Sequence, residues 1–99
     1  MAVRTDLRRQ TLSHSGEIIA LAHEYRARNL SVRFPDYEFE DMPEVEFIAD
    51  MDDGTSLFDR ANLVMALNDL LGAATHVFLR DELPGDFAES LERDAVALG

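Results

Sequence analysis

Hydrophobic and polar positions alternate along two short stretches of the chain, and a third stretch is rich in residues that favour strands. Residues 29–34 place an apolar side chain at every second position, and a proline follows directly. Residues 43–50 alternate acidic and apolar side chains before becoming apolar, and residues 74–79 contain several β-branched and aromatic side chains. Alternation with a period of two is typical of strands that bury one face, and proline ends such a strand. The pattern predicts β-strands over 29–34, 43–50 and 74–79.

Around these strands, apolar residues recur every three or four positions, which is the spacing of one helix face. This spacing predicts helices over 15–27, 56–71 and 86–96, and Gly72 stands where the second helix should stop. The apolar face of that second helix comprises Leu57, Phe58, Ala61, Val64, Met65, Leu67 and Leu71. The order helix, strand, strand, helix, strand, helix predicts an α+β (α/β) fold, with helices packed on a small mixed sheet.

The chain divides into a short N-terminal segment and one domain. Residues 1–14 are charged and weakly periodic, so we expect a partly ordered segment with a short helix that Asp6 caps. Residues 15–99 contain no repeat and no linker, and form the domain. Within the domain we expect Asp86 to cap the last helix. We expect Asn68, which lies amid an apolar face, to bond a neighbouring backbone group.

The net charge of the chain is strongly negative. Twenty acidic residues against nine basic ones give a formal charge of −11 at pH 7, and every base is an arginine. Direct binding of nucleic acid is not expected, because phosphates would be repelled. The arginine bias fits a GC-rich genome, and a halophilic host is another explanation of the acidity. The absence of cysteine, of an apolar signal core and of any apolar run of about 18 residues predicts a cytoplasmic protein without a membrane segment.

A run of acidic residues lies between positions 36 and 53, with no arginine among them. Its members are Asp36, Glu38, Glu40, Asp41, Glu44, Glu46, Asp50, Asp52 and Asp53. Such a surface attracts a metal ion or a cationic partner. The predicted partner-binding residues are Asp36, Glu38, Glu40 and Asp41. The alternative is that these acids only keep the domain soluble.

Glu44 and Glu46 form an acidic pair two positions apart on a predicted strand. Strand side chains alternate, so both carboxylates should lie on one face together with Ile48. Carboxylate oxygens are ligands of divalent metal ions, which makes this pair a candidate metal site. The alternative is a half-buried strand whose glutamates are solvated, and the spacing alone favours this alternative because two acids separated by one residue are frequent in strands.

Much of the chain resembles the family of bacterial minimal nucleotidyltransferases. The similar segments are 17–22 (EIIALA) with Tyr25 and 27–30 (ARNL), 54–59 (GTSLFD) with 70–72 (LLG), and 87–98. The likeness extends over nearly the whole chain from about Leu12. It implies a nucleotidyltransferase fold of the polymerase beta-like kind.

The resemblance also implies where a catalytic site would lie. Members of the family carry Gly-Ser at the end of the first strand, Asp-x-Asp on the second, and a third Asp on the strand after the helix. The Gly-Ser donates to nucleotide phosphates, and the carboxylates hold two Mg²⁺ ions. The matching positions in this sequence are Phe34 and Pro35, then Glu44 and Glu46, then His76.

These departures imply a fold that is retained and an activity that is lost. Pro35 has no N–H to offer a phosphate, Phe34 is bulky, and the acids that follow repel a triphosphate. The imidazole of His76 in place of a carboxylate shifts the metal preference from Mg²⁺ towards Mn²⁺ or Zn²⁺. No cofactor is therefore expected to be required. A divalent metal (Mg²⁺, Mn²⁺ or Zn²⁺) on Glu44, Glu46 and His76 is the alternative.

The resemblance implies a partner as well. Similar proteins are the antitoxin half of a pair with a small helical HEPN-domain toxin that cuts RNA, and working members transfer AMP to the toxin. A degraded member would act by binding alone, so we expect a non-catalytic antitoxin that binds a HEPN-type toxin. One alternative is an active metal-dependent nucleotidyltransferase with an atypical site of two glutamates and a histidine. Another is a decayed copy without a present function.

Overall fold

Helices and strands make up most of the residues that the structure, a computed structural model, describes: 3–35, 43–52, 54 and 57–98. In chain order these elements are α1 (Val3–Ser13), α2 (Ser15–Glu24), β1 (Ala27–Arg33), β2 (Val45–Met51), α3 (Leu57–Leu71), β3 (Thr75–Leu79), a 3₁₀ turn (Arg80–Glu82), α4 (Gly85–Arg93) and β4 (Val96–Ala97). The strands form a four-stranded sheet in the order β3-β2-β1-β4. Strand β1 is antiparallel to β2 and β4, whereas β2 and β3 are parallel.

The predicted fold class is confirmed. The strands predicted at 43–50 and 74–79 are β2 and β3, which pair in one sheet, and the helix predicted at 56–71 is α3. A turn at His14 separates α1 from α2. The result is a mixed sheet with helices packed on it, as the element order implied.

One face of the sheet carries the hydrophobic core. Val32, Phe47 and Val77 lie in one row across β1, β2 and β3, and helices α2 and α3 cover them. The buried cluster consists of Ile18, Ala22, Ala27, Leu30, Val32, Val45, Phe47, Ala49, Leu63, Leu67, Leu71 and Val77. Because strand side chains alternate, the residues one position away from this row face the other side of the sheet.

Helix α1 joins the helical layer over the core. Leu7 and Leu12 pack against the buried cluster. Gln10 Nε2 donates a hydrogen bond to the carbonyl oxygen of Leu71, at the end of α3, over 3.3 Å. These contacts tie α1 to the rest of the fold. Across the described part of the chain, no helix is long and apolar enough to cross a membrane.

The first helix of the predicted domain ends earlier than the sequence indicates. Helix α2 stops at Glu24, short of the predicted boundary at 27, and β1 begins at Ala27. Between them Arg26 has a left-handed backbone with φ 67°, the conformation that commonly ends a helix. Glycine usually marks this position, so an arginine there gives no signal in the sequence.

The last predicted helix, over 86–96, is wrong in its final part. Helix α4 ends at Arg93, and β4 pairs with the outer edge of β1. Beside this pair, the N–H of Leu98 donates to the carbonyl oxygen of Leu30 over 2.7 Å. Pairing satisfies the backbone groups of an edge strand, which a further helical turn would leave without partners from the protein.

Two predicted caps are also wrong, whereas the predicted role of Asn68 is confirmed. The N-cap position of α4 is Pro84, so Asp86 lies in the first helical turn. Helix α1 begins three residues before Asp6, which therefore lies inside it. Asn68 Oδ1 accepts a hydrogen bond of 2.8 Å from the backbone N–H of Thr75, linking α3 to the start of β3.

The broad apolar face predicted for α3 is divided between two sides of the helix. Leu67 and Leu71 are buried in the core, but Leu57, Phe58 and Met65 are exposed. At 3.6 residues per turn, Phe58 and Met65 lie roughly opposite the buried positions, and Leu57 lies between the two sides. The outer side of α3 is therefore apolar.

Candidate functional site

A row of ionisable side chains crosses three strands on the face of the sheet opposite the core. Arg33 of β1 lies opposite Glu46 of β2, and Glu46 lies opposite His76 of β3. Paired residues of neighbouring strands point to the same face, so these three side chains are neighbours. The structure thus brings together two of the three predicted metal-site residues, Glu46 and His76, and adds an arginine to them.

Glu46 is almost completely buried in the middle of this row. Its side chain is 4% exposed, and Arg33 Nη1 donates a charged hydrogen bond to its Oε1. Ile48, the next residue of β2 on the same face, is buried, in agreement with the sequence analysis. A carboxylate removed from water needs such a partner, because an unpaired buried charge costs several kcal/mol. The guanidinium of Arg33 therefore neutralises Glu46.

His76 lies at the β3 end of the row, on an edge strand of the sheet. Its ring meets the ring of Phe78 edge-on, with 4.4 Å between centroids, and Phe78 meets Phe87 of α4 at 6.2 Å. Partial burial lowers the pKa of His76 below its usual value of 6.5, and the Arg60 guanidinium lowers it further. The Glu46 carboxylate acts in the opposite direction but is the weakest of the three influences. The imidazole is therefore mostly neutral at pH 7.

Arg60 of α3 brings a second guanidinium towards the row. Its Nη1 donates to the carboxylate of Glu82 over 2.6 Å, and its Nη2 donates to the carbonyl oxygen of Val77 over 2.8 Å. These bonds fix the guanidinium close enough to His76 to lower the pKa of that ring. Together, Arg33 and Arg60 make the surroundings of Glu46 and His76 more positive, which disfavours a cation.

Glu44 does not join the row. It precedes β2 and is exposed, and its Oε2 accepts a hydrogen bond of 3.2 Å from the N–H of Ala74. Within the residues that the structure describes, no group of three histidine, aspartate or glutamate side chains lies close enough to hold a metal ion. The predicted ligands Glu44, Glu46 and His76 therefore do not form one such group.

An aromatic ring and a proline fill the position where the family resemblance implies a phosphate-binding Gly-Ser. Phe34 follows β1, and the guanidinium of Arg8 lies over its ring at 5.3 Å from the centroid. Pro35 is buried, and a proline supplies no N–H donor. The predicted partner-binding residues lie outside the described residues: Asp36, Glu38, Glu40 and Asp41.

The described residues do not fit the Mg²⁺ ions of a working nucleotidyltransferase. Mg²⁺ requires oxygen ligands in near-octahedral geometry at about 2.0–2.1 Å. Here Glu46 is paired with Arg33, Glu44 bonds a backbone N–H, and the third ligand position holds the neutral imidazole of His76. A metal ion would have to displace a guanidinium from a buried carboxylate and then lie beside its positive charge.

Two residues of this site, Arg33 and Arg60, were missed by the sequence analysis. The alternation of β1 holds a signal for the first, because an inward Val32 places Arg33 on the outer face. The contact with Glu46 also depends on the register between β1 and β2, which the sequence alone does not give. The position of Arg60 depends on how α3 packs against β3, and no local pattern encodes it.

Comparison with known proteins supports the fold. No protein-family model and no curated protein matches the chain. A solved structure described as "Structure of putative minimal nucleotidyltransferase" is similar, with a TM-score of 0.69 and 23% sequence identity. The match covers 85% of this chain and 88% of that one. At this identity the likeness concerns the fold and not the activity. The chain has the nucleotidyltransferase-like fold that its sequence resemblance implied.

Proposed function

We propose that this chain is a nucleotidyltransferase-fold protein that does not transfer nucleotides and acts by binding a protein partner, a HEPN-type toxin. The ion pair between buried Glu46 and Arg33 carries the first half of the proposal. The family resemblance assigns a metal-binding carboxylate to position 46. In this chain the charge of that carboxylate is already neutralised by the guanidinium of Arg33.

The position expected to bind phosphates also argues against nucleotide transfer. Phe34 is bulky and Pro35 lacks an N–H, so this segment offers fewer donors to a triphosphate than Gly-Ser would. Loss of a single preorganised donor to a developing charge costs about 2.7–4 kcal/mol, or about 10²–10³ in rate. The third carboxylate is replaced by a neutral histidine as well. Several such losses together leave no useful rate.

A binding role fits the charge of the whole chain. A net charge of −11 attracts a basic protein and accelerates its association. The choice of a HEPN-type toxin rests on the family resemblance alone. The candidate contact residues remain those that the sequence indicates: Asp36, Glu38, Glu40 and Asp41.

A transfer assay tests the loss of catalysis. The protein is incubated with labelled ATP, Mg²⁺ or Mn²⁺, and the protein encoded by the neighbouring gene, and label on either protein is measured. We expect no more label than with Glu46→Gln, whose folding is checked by circular dichroism. Transfer that disappears in Glu46→Gln would overturn the proposal and favour the alternative of an active enzyme with a Glu, Glu and His site.

Neutralisation of the toxin without nucleotide tests the binding role. RNA cleavage by the toxin is measured with an equimolar amount of this protein and no ATP, and we expect cleavage to be inhibited. Inhibition that requires ATP would contradict a role in binding alone.

A pair of charge-matched variants tests the acidic contact. The first variant changes four acids to their amides: Asp36, Glu38, Glu40 and Asp41. The control changes the same residue types at four exposed positions elsewhere: Glu24, Asp81, Glu89 and Asp94. Both variants lose the same amount of negative charge. A difference in their affinity for the toxin therefore depends on where the acidic residues lie and not on the total charge. We expect the first variant to bind more weakly, and equal affinities would remove the residues at 36–41 from the contact.

A further inference from the structure

The outer side of α3 exposes large apolar side chains to solvent. Phe58 is 81% exposed, Leu57 is 79% exposed and Met65 is 64% exposed, and Ala61 between them is exposed as well. The spacing of these residues places them along one side of the helix over more than two turns. We call Leu57, Phe58, Ala61 and Met65 the α3 outer stripe.

This stripe is unusual for a helix at the surface of a domain. The inner side of α3 is already apolar and packs in the core through Leu63, Leu67 and Leu71. A helix that is apolar on both sides is normally buried on both sides. By contrast, the exposed residues of α4 are mostly polar: Asp86, Glu89, Ser90, Glu92 and Arg93. Contiguous exposed apolar side chains mark interaction surfaces, and spacings of three, four and seven are those of helix anchors in a partner's groove.

The charges on α3 indicate which kind of protein would bind the stripe. Asp69 is exposed one turn beyond Met65, so an acidic side chain lies next to the end of the stripe. Arg60 is the single base in the helix, and its guanidinium is bonded to Glu82 and to a backbone carbonyl. The stripe therefore belongs to an acidic helix of a chain with net charge −11. A second copy would carry the same charge and be repelled, whereas a basic protein would be attracted.

We infer that the α3 outer stripe is the docking surface for a basic partner protein. Phe58 and Met65 pack against the apolar side of an amphipathic helix of that partner, and arginine or lysine side chains that flank this apolar side face the acids of this chain. Aromatic and methionine side chains are enriched at the centres of interfaces, and charges at the rim steer association. The inference rests on the proposed function, because it names the surface by which a binding antitoxin holds its partner.

The test uses the full chain, a stripe variant and a matched control. The stripe variant is Phe58→Gln with Met65→Gln, and the exposure of both side chains leaves the core intact. The control is Phe87→Gln, the same aromatic-to-amide change at a position that is 45% exposed on α4. Thermal unfolding followed by circular dichroism verifies that all three proteins are folded.

The probes are two synthetic amphipathic helical peptides with the same apolar stripe, flanked by arginine in one and by glutamate in the other. Fluorescence anisotropy measures their affinity, and we expect the basic peptide alone to bind. The stripe variant should bind it about tenfold more weakly, since truncation of a central anchor commonly has that effect. The Phe87→Gln control should bind it as the unmodified chain does.

Three results would overturn the inference. The first is that the basic peptide binds the unmodified chain and the stripe variant with equal affinity. The second is that the basic and the acidic peptide bind the unmodified chain with equal affinity. The last is that the unmodified chain forms a homodimer whereas the stripe variant is a monomer. Sedimentation velocity detects the last, and it would make a second copy the occupant.

Binding of the protein encoded by the neighbouring gene separates this inference from the proposed function. If that protein binds equally well to the stripe variant, the proposed function stands and the surface is wrong. If the basic peptide binds through the stripe but the neighbouring protein does not bind at all, the surface stands and the proposed toxin partner is wrong.

Discussion

The ion pair between Arg33 and Glu46 should be the costliest single contact to break in the candidate site. The Glu46 side chain is 4% exposed, so removal of the arginine alone leaves a carboxylate without its partner where water scarcely reaches. Breaking one side of a buried pair costs about 3–5 kcal/mol. Because Arg33 itself is partly exposed, we expect Arg33→Met to lower the free energy of unfolding by about 3 kcal/mol, measured by urea denaturation.

Arg28 and Asp52 provide the matched control. Their ion pair joins side chains that are 50% and 56% exposed, so Arg28→Met should cost less than about 1 kcal/mol. Adding Glu46→Leu to Arg33→Met should recover much of the loss, because an apolar pair replaces both charges. If Arg33→Met costs no more than Arg28→Met, Glu46 does not depend on its arginine, and our interpretation of the site is wrong.

A dependence of stability on pH follows from His76. Burial first, and then the Arg60 guanidinium, hold the pKa of His76 below 6.5 in the folded protein. The unfolded chain therefore binds a proton at a pH where the folded chain does not. The stability contributed by the neutral ring is present above pH 6.5 and declines as the pH falls from 6.5 towards the lowered pKa.

His76→Gln should remove this pH-dependent contribution. Between about pH 7.5 and about pH 5.5, where histidine titrates, the unmodified chain should lose more stability than the variant. Urea midpoints at the two pH values measure the loss, and the acidic residues titrate in both proteins alike. Equal losses would mean that the pKa of His76 is the same in the folded and unfolded chains.

At the scale of the elements, the connection from α3 to β3 depends on one backbone conformation. Gly72 has a left-handed backbone with φ 63°, and its N–H donates to the carbonyl oxygen of Asn68 over 2.8 Å. A Cβ on Gly72 would meet no atom within 4 Å, so the cost of a side chain there is conformational. We expect Gly72→Ala to lower the free energy of unfolding by about 1–2 kcal/mol, the penalty of a left-handed residue with a side chain.

Gly16 is the matched control for this change. It lies inside α2, and a Cβ there would likewise meet no atom within 4 Å. Gly16→Ala should raise the free energy of unfolding by about 0.4–1 kcal/mol, because alanine restricts the unfolded chain and fits a helix. The same urea denaturation series measures both variants. A loss of stability in both variants would show that backbone conformation does not determine whether alanine raises or lowers the free energy of unfolding.

The elements that the sequence predicted well are those with a strong local pattern. β2, α3 and β3 begin and end within two residues of the predicted ranges 43–50, 56–71 and 74–79. The pairing of β4 with β1 was not predictable, because two residues against a distant edge leave no periodic pattern. The end of α2 was missed because Arg26, and not a glycine, adopts the left-handed conformation.

The candidate site was predictable only in part, for a similar reason. Strand alternation places Glu46 and Ile48 on one face, and the family resemblance pointed to His76. The arginines were missed because they reach the site through strand register and helix packing, which are tertiary. The exposed stripe of α3 was missed because periodicity shows which residues share a side, but not which of two apolar sides meets the sheet.

At the scale of the whole molecule, the net charge of −11 opposes the folded state. The molecule measures 42 × 29 × 25 Å, and the screening length is about 30 Å at about 10 mM salt. Charges on opposite sides therefore still repel one another at low salt. The exposed ion pairs that salt would weaken, such as Arg28 with Asp52 and Arg60 with Glu82, contribute only about 0–1 kcal/mol each. Repulsion among the surplus acids should outweigh them.

Salt should therefore stabilise the fold and weaken the binding of a basic partner. Between about 10 mM and about 1 M NaCl the screening length falls to about 3 Å. We expect the thermal midpoint to rise by about 4 °C or more, the shift that about 1 kcal/mol produces in a domain of this size. Affinity for the basic helical peptide should fall over the same range, because its flanking charges are screened.

The control variant with amides at positions 24, 81, 89 and 94 carries less surplus charge, so its thermal midpoint should rise less. A midpoint that falls with salt would mean that ion pairs, not repulsion, dominate the electrostatics of this fold. If the affinity for the basic peptide does not change with salt concentration, the apolar stripe alone provides that affinity.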